Sequence, residues 1–146
     1  MNIVIKQPES PEEFRQYYRL RFLILRAPWG EPEGSEVDDM EDQCFHIMAL
    51  INDKTVGIGR LQFNSADKAQ IRYMAVDRAY EGKGIGRMIV NALEQEALYK
   101  NVSTVVLDAR EPALGFYQKL GYRIEKKSYV LFDEIQHYRM IKQLTA

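Results

Sequence analysis

The chain has 146 residues, 46% of them apolar and 28% charged, with 20 Lys and Arg against 21 Asp and Glu for a formal charge of -1. That length suits one core, the near-neutral balance gives no global attraction to nucleic acid or a bilayer, and the single Cys44 excludes an internal disulfide framework. No stretch nears the roughly 20 apolar residues of a membrane span, and Met1 to Lys6 lacks the charged-then-apolar plan of a secretion signal. The expectation is a single domain over residues 1–146 in the cytoplasm.

Ile3 and Ile5 alternate with polar neighbours in a first strand. Pro8, Ser10 and Pro11 then turn the chain into a helix that starts near Pro11 and carries Phe14, Tyr17, Tyr18, Leu20 to Ile24 and Leu25. From Ala27 to Gln43 the period is lost. The window Glu31 to Asp42 holds seven acidic residues and no Lys or Arg, which predicts a long negative loop. Phe45 to Ile51 and Thr55 to Phe63 flank Asn52 and Asp53 and read as an antiparallel hairpin.

Ala69 to Val76 is a further strand, followed by a Gly-rich stretch and a helix from about Gly84 to Lys100. Ile85, Ile89, Ala92, Leu93 and Ala97 give this helix one apolar face. Val102 to Ala109 is strongly apolar, and a strand, helix, strand succession implies two parallel strands joined by a right-handed crossover. A helix from Pro112 to Leu120 stops at Gly121. Tyr122 to Glu125, Ser128 to Phe132 and His137 to Leu144 complete the strands. The sum is an α/β (α+β) fold: a mixed, mostly antiparallel sheet with a central parallel pair and helices on both faces.

The chemistry concentrates between Val76 and Arg87, where strand passes to helix. Gly82, Gly84 and Gly86 remove every Cβ from one side of the turn, so backbone N–H groups and the helix N-terminus can face an anion, with Lys83 and Arg87 beside them. A phosphate or pyrophosphate is the expected ligand, although glycine also serves plain tight turns. A P-loop is excluded because Gly84, not Ser or Thr, follows Lys83. The dinucleotide fingerprint also fails: its last glycine falls on Ile89 when started at Gly84, and on Arg87 when started at Gly82. Asp108, at the end of the next strand, keeps a nucleotide-binding domain open as an alternative.

Val76 to Arg87 resembles the acyl-CoA-binding turn of the GNAT family of N-acetyltransferases, whose pattern V-x-x-x-x-[RQ]-G-x-G-[IV]-G is met by Gly82, Gly84, Ile85 and Gly86. Ala113, Phe116, Tyr117, Lys119, Gly121 and Tyr122 resemble the family's later A-x-x-F-Y-x-[KR]-x-G-[FY] element. Glu81 stands where the family usually has Arg or Gln, and Arg110 where many members carry Asn. The resemblance implies a GNAT-like fold whose parallel strands splay apart, with acetyl-CoA as co-substrate and no metal. It implies direct acetyl transfer in a ternary complex to a primary amine of a small molecule or protein, and a homodimer. It places Met74, Ala75, Val76, Gly82, Lys83, Gly84, Ile85, Gly86, Arg87 and Arg110 against the cofactor, and makes Tyr117 the donor to the departing thiolate.

A base for the amine is not singled out. Asp38, Asp39, Glu41 and Asp42 lie in a loop that could border the acceptor site and attract a cationic amine, or could form a solvated surface. His46 and Tyr73 are further candidates, with a structural role the plainer reading of His46. Neither His46 nor His137 has a metal-ligand constellation around it. Glu81, Arg110 and the unassigned base also leave open a non-catalytic acyl-CoA sensor.

Overall fold

The computed structural model describes residues 2–144; Met1, Thr145 and Ala146, which the 1–146 expectation includes, lie outside the described residues. One seven-stranded sheet runs in the order β1-β2-β3-β4-β5-β7-β6. Its strands are β1 (Ile3–Lys6), β2 (Phe45–Ile51), β3 (Lys54–Phe63), β4 (Lys68–Val76), β5 (Thr104–Arg110), β6 (Arg123–Leu131) and β7 (Ile135–Gln143). Neighbours are antiparallel except β4 and β5, which are parallel as the crossover argument requires.

Helices α1 (Pro11–Leu25) and α2 (Ile85–Tyr99) cover opposite faces, and the alternation of β2 explains how. Met48 and Leu50 pack with Tyr17 and Leu20 of α1, while Ile47, Ala49 and Ile51 pack with Ile85, Ile89 and Leu93 of α2. The start of α1 is fixed by a capping box. Ser10 Oγ accepts from the Glu13 amide at 3.1 Å, and the Glu13 carboxylate accepts in return from the Ser10 amide. The approach of α2 depends on Gly57 and Gly59 of β3. A Cβ on Gly57 would fall 2.8 Å from Ile85 Cγ2, and one on Gly59 2.7 Å from Ile89 Cγ2. Only bare backbone lets this helix lie so close, and its N-terminus is thereby set beside the end of β4.

The splay between the parallel strands has a local cause. Arg72 pairs with Arg60 and Ala75 with Ile58, so Tyr73 and Met74 together span the space opposite Gly59. This is a β-bulge, and Tyr73 takes a φ of 56° within it. The Gly59 carbonyl at the bulge lies 3.1 Å from the Tyr17 hydroxyl. The β4–β5 ladder runs from Lys68↔Thr104 only to Ile71↔Leu107, whereas β5 continues to pair with β7 as far as Arg110↔His137. Beyond Leu107 the two strands diverge, and their facing backbone groups are left without ladder partners.

Two segments differ from the sequence expectation. The helix expected from Pro112 to Leu120 opens with a 3₁₀ turn, Glu111–Ala113, before α3 (Leu114–Lys119). The strands expected at Tyr122 to Glu125 and Ser128 to Phe132 are one strand, β6, whose register shifts between Ile124 and Lys126 and again between Lys127 and Val130. On this exposed edge strand the bulges break the alternation, so a continuous strand leaves no continuous pattern.

Candidate active site

A groove of about 520 Å³ lies where β4 ends and α2 begins. Gly82 and Gly84 have φ of 78° and 80°, left-handed values that ordinary side chains resist. Gly84 is the N-cap of α2 and no side chain caps the helix, so the first amides of α2 are not taken up locally. Gly86 serves a different end: a Cβ there would meet Phe116 Cζ at 3.0 Å, so its bare backbone lets α3 sit close against the helix start.

Of the expected cofactor residues, Met74, Ala75, Val76, Gly82, Gly84, Ile85, Gly86 and Arg87 line this groove. Lys83 is exposed beside it and is not part of the lining, and Arg110 lines a different cavity. Tyr80, Ala113 and Phe116 also line the groove without having been assigned to the cofactor from sequence. Ala113 and Phe116 belong to the second motif, which carries the signal for them. Tyr80 is delivered by a 3₁₀ turn, Arg78–Tyr80, whose start is capped by the Asp77 side chain.

The second cavity, about 440 Å³, is lined by the end of α1 and by the diverging strands β4 and β5. It shares Met74, Ala113 and Tyr117 with the groove, so the two spaces meet at those residues. Tyr117 is 7% exposed, and burial pushes its phenol well above the usual range, which keeps it protonated and able to donate.

Arg26, Arg72, Arg110 and Arg139 line the second cavity, with Asp108 as the one carboxylate among its lining residues. Asp108 accepts from Arg139 Nε at 2.9 Å and Nη2 at 3.1 Å. His137, also buried in this lining, has Nδ1 3.0 Å from the Ile135 carbonyl. A carbonyl only accepts, so the proton sits on Nδ1 and the neutral ring leaves Nε2 bare. Burial lowers the His137 pKa, favouring the neutral form, and Tyr129 stacks on the ring at 4.4 Å.

The acidic loop is not the open rim that the sequence suggested. Asp38 is forked by Arg60 at 2.8 and 3.0 Å, and the Arg60 hydrogen bond holds its carboxyl well below the usual carboxylate range. Glu41 accepts from Arg21 and Arg60, and Tyr18 adds a bond at 3.3 Å. Both guanidiniums are fully buried, so these carboxylates serve an internal network. Asp39 and Asp42 remain exposed.

His46 is structural in its surroundings. Its Nε2 donates to the Glu41 carbonyl and its Nδ1 meets the Tyr17 hydroxyl, each at 2.7 Å, while burial lowers its pKa. Tyr73, on the bulge, does line the second cavity. Its ring has Arg21, Arg60 and Arg72 within 5 Å of the centroid, at 4.1, 4.7 and 4.9 Å, and Arg26 at 5.6 Å. Among the described residues no cluster of His, Cys, Asp or Glu could hold a metal, and no helix is long and apolar enough to cross a membrane.

A family model for the acetyltransferase (GNAT) family matches residues 12–122. The uncharacterized N-acetyltransferase YjcF of Bacillus subtilis (strain 168) is 28% identical over 142 residues, covering 97% of this chain and 99% of its own. A crystal structure of a provisionally named N-acetyltransferase from Lactobacillus plantarum superposes with a TM-score of 0.85 at 26% identity, over 98% of this chain and 99% of that one. An aminoglycoside 6'-N-acetyltransferase complexed with coenzyme A shares the fold, with a TM-score of 0.82 at 19% identity over 100% and 98% of the two chains.

Proposed function

The chain belongs to the acetyltransferase (GNAT) family, and from that premise we propose that it moves an acetyl group from acetyl-CoA to a primary amine by direct attack in a ternary complex. The observation that carries this reading is the meeting of two open spaces at Met74, Ala113 and Tyr117, one built around bare helix amides and the other around polar side chains. Two ligands, one in each space, would have their reacting ends brought together there. Such positioning is worth several kcal/mol in itself.

The groove residues suit coenzyme A. The uncapped amides at the start of α2 would hold the diphosphate, with Arg87 beside them and Lys83 adding charge from the exposed rim. The amides of the pantetheine arm would pair with the unpartnered edge of β4 from Met74 to Val76, as a peptide adds to a sheet. Acetyl-CoA supplies an activated acyl group on a thiol leaving group. Tyr117 would donate its proton to the departing sulfur, which its raised pKa permits. The bare Nε2 of His137 is suited to receive the proton of the attacking amine, directly or through water. Arg110, which lines the second cavity, is assigned to the acceptor.

Calorimetry with coenzyme A, NAD and ATP, followed by a thiol-release assay across an amine panel, tests the reading. Coenzyme A is expected to bind selectively and acetyl-CoA to release thiol only with an amine present. Preference for NAD or ATP would overturn the cofactor assignment, and binding with no thiol release would favour an acyl-CoA sensor.

A further inference from the structure

The charge of the second cavity is opposite to what a simple cationic amine would seek. Four arginines line it against one carboxylate, and that carboxylate already accepts both arms of Arg139. Arg26 bonds only backbone carbonyls, those of Ser35 and Leu25, each at 3.1 Å. Arg72 lies 3.7 Å from Asp38 Oδ2, but the Asp38 carboxylate is forked by Arg60. Arg110 is exposed and has no carboxylate within ion-pair distance among the described residues. Three guanidiniums therefore face this space without a dedicated counter-charge.

Resting on the acetyltransferase reading, we propose that the acceptor is a small amine that also carries a carboxylate or phosphate, bound by Arg26, Arg72 and Arg110. The fork of a guanidinium matches both anions, and two of the three lie within cation–π range of one ring: Arg26 and Arg72 are 5.6 and 4.9 Å from the Tyr73 centroid. A volume of about 440 Å³ fits a small molecule. The same positive field serves the chemistry. Nearby like charge disfavours an ammonium, so an amine anchored by its anionic end loses its proton more readily and reaches the neutral state that attacks a thioester. A polycation gains no anchor and meets net repulsion from the four arginines.

Matched pairs that differ by the anion provide the test: phosphoethanolamine against ethanolamine, β-alanine against propylamine, and glucosamine 6-phosphate against glucosamine, with spermidine as the polycation. Binding to the coenzyme A complex is read by calorimetry, and kcat/KM by thiol release. The anionic member of at least one pair is expected to be preferred about tenfold or more, as a charge-assisted bidentate contact allows. Preference within the phosphate pairs alone assigns phosphate, and within the carboxylate pair alone carboxylate.

Arg26→Gln, Arg72→Gln and the exposed Arg110→Gln should each erode that preference through KM while coenzyme A affinity holds, with the melting temperature checking that each variant folds. The proposal is overturned if spermidine or the anion-free amines match their anionic partners, or if no anionic amine binds or reacts while coenzyme A is bound. Failure to bind coenzyme A at all would instead strike the acetyltransferase reading, so the two failures are distinguishable.

Discussion

Glu41 turns Oε2 to within 2.8 Å of Nη1 of Arg60, a guanidinium with no solvent exposure. The same oxygen takes Nη1 of Arg21 at 2.8 Å, so this carboxylate bridges two sealed cations and is the carboxylate on Arg21, while Arg60 is also forked by Asp38. Breaking a buried ion pair from one side costs about 3–5 kcal/mol, because the remaining charge stays desolvated. Glu41→Gln is expected to lower the unfolding free energy by about that amount in urea titration at pH 7. A loss below about 1 kcal/mol, the range of exposed pairs, would show that the network is solvated rather than buried.

Asp38 gives this network an acid limit. Its folded-state pKa is depressed, chiefly by the Arg60 hydrogen bond, so the unfolded chain takes up the proton first as the pH falls. The contribution of Asp38 is complete above the ordinary aspartate pKa of about 3.9 and drains as the medium becomes more acidic than that. Asp38→Asn should therefore melt well below wild type at neutral pH, with the gap narrowing under strong acid. Melting curves across the acid range check this, and a gap that ignores pH would refute it.

The Tyr117 hydroxyl is assigned the proton that the departing sulfur needs. Tyr117→Phe is expected to cut turnover about 100-fold, within the range for a lost general acid, with calorimetric affinity for coenzyme A nearly unchanged. Unchanged turnover at saturating substrates would remove Tyr117 from the chemistry.

Gly84 and Gly115 form an internal comparison, since a Cβ on either would meet no atom within 4 Å. Only Gly84 has positive φ, where a side chain costs about 1–2 kcal/mol. Gly84→Ala should weaken coenzyme A binding about tenfold by turning the helix-start amides, an effect of that same size. Gly115→Ala, in α3, should bind normally and melt slightly higher, since alanine favours a helix over glycine by up to about 1 kcal/mol. Equal losses in both variants would contradict the role given to the turn.

His137 acts, in the proposed reaction, through its unprotonated Nε2. Its pKa is lowered by burial from 6.5, so the base is present at neutral pH and is lost only as the pH falls below that value. The kcat/KM profile should carry an acid limb below about pH 6.5 that His137→Gln removes, with a rate loss of about 100-fold. Persistence of the limb in the variant would assign it to another group.

The groove was open to sequence reading because its demands are local. Gly82 and Gly84 answer to backbone angles and Gly86 to one close neighbour, all within a single turn. The element order followed from periodicity, since α2 and the strands around it each bury one clear face. The acceptor cavity was not legible in this way. Arg26, Arg72, Arg110 and Arg139 come from α1 and its exit, β4, β5 and β7, and no spacing announces that a bulge at Tyr73 and a diverging strand pair will bring them around one space. The acidic loop misled for the same reason. Its charge is plain in the sequence, but the Arg21 and Arg60 that absorb it arrive from other elements and turn inward only when the chain folds.

The groove and the cavity share only Met74, Ala113 and Tyr117 and are otherwise lined separately, the groove along the start of α2 and the cavity beside the end of α1. In the proposed reaction, the spent carrier and the acylated product would each have a private exit. Either could depart first, and a surplus of one would not lock the other inside.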